Sequence, residues 1–317
     1  MCGRFKDLER RALVALRGRR KYHYPPIATP MVPASEVQGL VRTKLLGSDP
    51  CMIARYGSVE LQAVVDYLYP ISFRNAIGFV RGKSPSWGYA PSTIHTMHFN
   101  AGFFPSRERM LDRFAELMIG YAPMVDILGS WRKEEGEVMT LMPNAVRVPL
   151  FALEPYYFDL PWTSALEGKR VLVIHPFEDS ILKQHSRYKD LFSNSLLTPT
   201  YELQTLKAVQ SIAGNKPDRF DDWFQALEWM EQEVSKRDFD IAIIGCGAYG
   251  FPLAAYVKSI GKKAIHLGGA VQYLFGIRSS AADRNQRLKP LINDCWIYPS
   301  ESERPKNHQV VENSRYW

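Results

Sequence analysis

The chain has 317 residues, 46% of them hydrophobic and 23% charged, with a formal net charge of +7. This is ordinary globular composition with ample material for a core, and it excludes a disordered or collagen-like chain. The positive balance favours anionic partners such as nucleotides, phosphorylated lipids or a membrane surface, while no run of aromatics interleaved with Arg and Lys suggests a nucleic-acid platform.

Four scattered cysteines, Cys2, Cys51, Cys246 and Cys295, make no C-x-x-C pair and no disulfide scaffold. The N-terminus is charged and lacks the apolar core of a signal peptide. No segment reaches the roughly 18 uninterrupted apolar residues of a membrane span. The sequence thus predicts a cytoplasmic protein.

In chain order, residues 5–20 read as a basic amphipathic helix. Phe5, Leu8, Ala12 and Leu16 share one face, and Arg10, Arg11, Arg17, Arg19 and Arg20 crowd the remainder. Such a helix suits an anionic membrane surface or, more commonly, docking on its own domain. A proline-rich passage at 24–33 cannot be regular helix. Residues 1–47 are therefore an N-terminal helix and lead-in, and 48–317 form the main domain. Ser35 is expected to cap a helix through Leu46. A strand over 52–55 and a helix over 58–69 follow. Residues 74–105 show weak periodicity and read as a long ordered loop. Ser106 is expected to cap the next helix, and 124–128 to form a strand. From Val171 onward strands and helices alternate: strands at 170–174, 201–206, 239–244 and 263–267, and helices at 178–192, 221–236 and 251–260. That alternation predicts an α/β doubly wound, mostly parallel sheet, in which ligands sit beyond the carboxyl ends of the strands.

Four turns after strands carry candidate chemistry. In Arg55-Tyr-Gly57-Ser58-Val-Glu60, Arg55 suits a phosphate and Glu60 suits a metal ion or a proton. The alternative is an Arg–Glu ion pair at a helix start. In His175-Pro-Phe-Glu-Asp-Ser180, His175 is a base or a neutral hydrogen-bonder, and Ser180, with Gln184 one turn on, can reach a phosphate or cap the helix. Gly245-Cys-Gly247-Ala248-Tyr249-Gly250 is a G-x-G-x-x-G between strand and helix, a backbone cradle for phosphate. A dinucleotide reading further requires an acidic residue at the end of the next strand. That strand ends in Gly268-Gly269, without a carboxylate. The fourth turn, Gly268-Gly269-Ala-Val-Gln272, allows close backbone approach, or is simply a tight turn.

Taken together, Arg55–Glu60, His175-Pro-Phe with Ser180 and Gln184, Gly245–Gly250 and His266–Ile277 resemble bacterial GT-D-type glycosyltransferases of polysaccharide and glycan biosynthesis, over about residues 48–317. The resemblance implies a Rossmann-like domain that binds a nucleotide-diphosphate sugar and transfers the sugar to a glycan or lipid-linked acceptor. It implies binding roles for Arg55, Gly57, Ser58, His175, Ser180, Gln184, Gly245, Gly247, Ala248, Tyr249, Gly250, Gly268, Gly269 and Gln272. The family holds Mn²⁺ or Mg²⁺ with an Asp-x-Glu pair. Here Ser58 stands at the Asp position and Glu60 at the Glu position, so Glu60 is expected to hold the ion through water or to serve as catalytic base. Peripheral contact with the inner membrane face is a further expectation. The alternatives are an NAD(P)-dependent oxidoreductase and a non-catalytic nucleotide-sugar-binding protein.

Overall fold

The computed structural model describes residues 2–311 and 314–317, with side chains from residue 9 onward. The expectations for Phe5 and Leu8 fall on side chains outside the described ones. The centre of the protein is one seven-stranded sheet, parallel throughout, with strand order β3-β2-β1-β7-β6-β4-β5. The strands are β1 (Cys51–Ala54), β2 (Ile127–Ser130), β3 (Val146–Pro149), β4 (Arg170–His175), β5 (Glu202–Lys207), β6 (Ile241–Ile244) and β7 (Lys263–His266). This is an α/β, Rossmann-like arrangement.

Register and side-chain alternation explain the layers. Ile127, Ile53, Ile265, Ile243 and Val173 line up across five neighbouring strands. They form an apolar row on one face, while Met52, Ala54, Leu172, Ile174, Ala242 and Ile244 point to the other. Both faces are covered, so the central strands are apolar without alternation. The chain has eleven helices among the described residues: α1 (Cys2–Arg17), α2 (Ala34–Leu46), α3 (Ser58–Leu68), α4 (Phe73–Val80), α5 (Pro91–Phe99), α6 (Glu108–Tyr121), α7 (Glu178–His185), α8 (Trp223–Ser235), α9 (Gly250–Ser259), α10 (Val271–Leu274) and α11 (Ser280–Arg284). Helices α3, α5, α6, α8 and α9 pack on one face, and α2, α7 and α10 on the other.

Several expectations change. The 74–105 stretch holds α4 and α5 rather than a loop. Helix α4 has no buried residue, which is why no core-facing period marks it. Edge strand β3 went unseen because it is short and only Val148 is fully buried. Ser35 lies inside α2, whose N-cap is Pro33 without a side-chain cap. Ser106 instead donates to the Ile94 carbonyl at 2.7 Å. Helix α7 stops at His185, because Tyr188 and Leu191 turn into the core. Helix α2, expected in the lead-in, belongs to the core: buried Gln38 donates to the Ala152 carbonyl at 2.5 Å and accepts from the Trp162 amide at 2.9 Å.

Helix α7, after β4, and helix α9, after β6, lie on opposite faces although β4 and β6 are neighbours. Constant crossover hand requires this where the winding direction reverses. The carboxyl ends of β4 and β6 therefore open a crevice, the usual ligand position in such sheets. Close helix–sheet packing at this point depends on Gly250, where a Cβ would overlap the buried His266 ring. Gly250→Val should lower unfolding free energy by roughly 1–3 kcal/mol through overpacking, read as a lower denaturant midpoint. An unchanged midpoint would show that the contact has room to relax.

Candidate functional site

A cavity of about 220 Å³ opens at the carboxyl ends of the strands, and loops from distant parts of the chain line it. Arg55 to Glu60 follow β1, Trp131 follows β2, and His175 to Phe177 follow β4. Val209 to Ile212 follow β5, Gly245 to Gly247 and Tyr249 follow β6, and His266 to Gly269 with Gln272 follow β7. Asn100 and Ala101 come from the end of α5, and Arg315 to Trp317 complete the wall.

Three helical starts face this space with unused backbone donors. The first amides of any helix lack intrahelical acceptors. Among the described residues no partner occupies the N–H groups of Ser58 and Val59 at α3, of Cys246 to Ala248 before α9, or of Gly268 to Ala270 before α10. These starts border the same cavity, and helix starts of this kind suit an anion. Glycine permits two of the turns: Gly247 has φ +57° and Gly268 φ +62°, backbone regions that disfavour other residues. Gly245 permits closeness instead, since a Cβ there would sit 2.5 Å from the Gly268 carbonyl and 2.8 Å from the His175 ring.

Of the two cations that line the cavity among the described residues, Arg55 and Arg315, Arg55 is the one at a strand end. Its guanidinium lies over the Trp131 ring at 5.0 Å. The Trp131 indole in turn donates to the Tyr56 carbonyl at 3.0 Å. The buried Nε of Arg55 has no hydrogen-bond partner. Burial pushes its pKa down, and the charge of Glu60 opposes that shift. Glu60 folds back over the first turn of α3, so close to Gly57 that a Cβ on Gly57 would collide with its carboxylate. Burial raises the Glu60 pKa, while its own amide and the charge of Arg55 act against the rise. The two groups influence each other, yet they form no direct ion pair of the kind weighed from the sequence.

The two cavity histidines are neutral, in opposite tautomers. The Phe177 amide donates to His175 Nδ1 at 3.0 Å, so the ring proton sits on Nε2. His266 Nδ1 donates to the Ile244 carbonyl at 3.3 Å, so its Nε2 is a bare acceptor. Burial lowers both pKa values to about 3, with the charge of Arg55 adding to the effect at His266. In the free protein His175 accepts from the Phe177 amide and presents its Nε2 proton at the cavity wall.

Other expected residues sit elsewhere or are already engaged. Ser180 does not line the cavity; its amide and hydroxyl donate to the buried Glu303 carboxylate, the amide at 3.0 Å. An internal carboxylate thereby fills the N-terminus of α7. Gln184 donates to the Gly276 and Cys295 carbonyls at 3.1 and 2.9 Å, pinning the C-terminal region. Ala248 and Gly250 are core residues beside the lining. Tyr249 reaches the lining, but its ring stacks on Trp223 at 4.8 Å and its hydroxyl meets Ser211 at 3.1 Å. The Gln272 amide donates to the Ile277 and Tyr316 carbonyls at 3.2 and 3.4 Å. Sequence reading missed Trp131, Asn100, Ser211 and Tyr316. Trp131 and the 209–212 stretch follow strands directly, so the strand-end rule would have found them had β2 and β5 been bounded correctly. Asn100 and Tyr316 carry no such local signal.

The donor set does not fit a protein-held Mn²⁺ or Mg²⁺ ion. Among the described residues Glu60 is the one side-chain carboxyl group in the cavity lining, Ser58 offers only a hydroxyl, and a guanidinium stands nearby. No group of three or more His, Cys, Asp or Glu among the described residues could hold a metal. Such ions need several hard oxygen ligands. No family model, curated protein or solved structure matches the chain.

The histidines give the site a pH signature. His175 holds a pKa of about 3 in the fold and about 6.5 when unfolded, so the unfolded chain takes up the proton first. Its neutral burial leaves stability undiminished above about pH 6.5, and stability falls as pH drops from there towards 3. Between roughly pH 7.5 and 5.5, wild type should lose on the order of 1 kcal/mol more than His175→Gln in urea unfolding. Equal losses would mean that the folded ring is protonated.

Proposed function

We propose that this protein is a glycosyltransferase of the GT-D type. It takes a sugar from a nucleotide-diphosphate donor and passes it to a hydroxyl of a glycan or lipid-linked acceptor in surface polysaccharide assembly. One observation carries the reading: three helix starts with unused amides share a cavity with Arg55, whose buried Nε has no partner. A buried cation without an ion pair and a ring of free N–H groups are together complementary to a diphosphate. The motifs at 55–60, 245–250 and 266–277 supply the family part of the proposal.

In the reaction the acceptor oxygen forms a bond to the anomeric carbon. The bond from that carbon to the phosphate oxygen breaks, and the diphosphate leaves with the electron pair. Negative charge grows on the diphosphate, where preorganised amides and Arg55 stabilise it without having to reorient. The acceptor proton passes to Glu60, whose burial strengthens its hold on a proton. Trp131, partly exposed at the rim, offers an apolar face for a sugar ring. An oxidoreductase reading lacks the acidic residue that would hold a dinucleotide ribose after β7, where Leu267-Gly268-Gly269 stands.

Two variants test this. A thermal-shift screen with UDP-, GDP- and dTDP-sugars should find a donor that raises the melting temperature, whereas NADH should not. Arg55→Met should abolish that shift, with a circular dichroism spectrum matching wild type showing that the variant still folds. Glu60→Gln should retain the shift but lower sugar transfer by about 10²- to 10⁴-fold. Stabilisation by NADH alone, or full activity in Glu60→Gln, would defeat the assignment.

A further inference from the structure

The positive charge of this chain is not spread evenly. Residues 10–35 and 67–107 together hold ten Lys and Arg residues and no Asp or Glu. The remainder holds 30 basic and 33 acidic residues, so the entire excess lies in these two segments. The fold brings them together. The Arg17 guanidinium lies over the Phe79 ring at 4.3 Å, and Arg10 Nη1 donates to the Tyr89 carbonyl at 2.7 Å. Helices α1 and α4 thus form one basic unit on the side of the molecule.

That unit also carries uncovered apolar surface. Helix α1 rests on the protein through a narrow stripe, Arg10, Leu13 and Arg17, which are its half-buried positions from residue 9 onward. The apolar side expected to dock points away: Ala12 is exposed and Leu16 is 62% exposed. Phe73, at the first position of α4, is 83% exposed, and Ile71 just before it is 52% exposed. No helix among the described residues is long and apolar enough to cross a membrane.

We infer that α1 and the start of α4 form a docking surface for an anionic lipid bilayer. Basic residues beside exposed aliphatic and aromatic side chains match a partner that is negatively charged at its surface and apolar just beneath it. A nucleic acid would use the cations but leave Leu16, Ile71 and Phe73 without a role. Asn100 and Ala101, later in the same 67–107 segment, line the cavity. The inference rests on charge and exposure and stands apart from the assignment of the cavity.

Vesicle flotation of the full chain tests it, with vesicles of phosphatidylcholine alone or phosphatidylcholine mixed with phosphatidylglycerol. The protein should float with the phosphatidylglycerol vesicles at low salt, detach as salt rises, and ignore neutral vesicles. Arg11→Glu with Arg19→Glu should weaken partitioning by about fivefold or more per position. Leu16→Asp with Phe73→Asp should weaken it at least tenfold. All four positions are exposed, and a melting curve matching wild type establishes that each pair still folds. No flotation with anionic vesicles, equal flotation with neutral ones, or unchanged flotation in both paired variants would overturn the inference. RNA binding in the absence of vesicle binding would overturn it as well, and would assign the patch to nucleic acid. The readout does not involve the cavity, so a failure here leaves the nucleotide-sugar reading intact, and the converse holds.

Discussion

Because the strands of this sheet all run in one direction, each helix that follows a strand starts at the same rim, and its first amides arrive there without acceptors. A buried amide must find a partner or remain costly, and the molecule meets that demand in two ways. At α7 the partner is internal: the Glu303 carboxylate reaches back from near the C-terminal end and occupies Ser180. At α9 and α10 no protein group takes the role, and at α3 the Glu60 carboxylate takes its own amide and leaves those of Ser58 and Val59 beside the same cavity. The closed start of α7 differs in this respect from those of α3, α9 and α10, where the proposed anion would sit.

The charges around that cavity follow the same logic. Both histidines are held neutral by burial, and Cys246 is a buried thiol whose pKa burial raises, so neither supplies a permanent charge. Among the described residues Arg55 and Arg315 are the cations of the lining and Glu60 its one side-chain carboxyl group, and Arg55 and Glu60 form no direct ion pair. In a half-enclosed, low-dielectric space such groups act more strongly on a ligand than they would in water. Under the proposed reading a complementary anion would relieve the unfavourable solvation of these groups in the free protein, a trade between stability and function. Backbone amides and a guanidinium supply the positive field, in a donor set too poor in carboxylates to build a cation site.

The apolar and basic side formed by α1 and α4 has no part in the core. Its residues contribute little to folding, and the segment reads as an irregular loop when only core-facing periodicity is sought. The surface charge is legible from composition, since acidic residues are missing from two long stretches. Their meeting in space is not, because nothing local ties residue 17 to residue 79.

By itself the sequence determined the α/β class, the central strands and the glycine turns. Apolar runs such as Ile241–Ile244 and turns such as Gly245–Gly250 follow from local sterics and burial period. It also identified Arg55, Glu60, His175 and Gly268 as residues at strand ends. Tertiary structure alone decided which of those residues face one another and which are already taken. Ser180 and Gln184 look like ligand-binding residues in their own motif, and only the return of the chain from residues 276–303 shows that protein carboxylate and carbonyl groups have claimed them. The histidine tautomers and the unpartnered Arg55 were likewise beyond the sequence. Each depends on a neighbour from another strand or loop, and hydrogen-bond satisfaction belongs to the assembled fold rather than to any one segment.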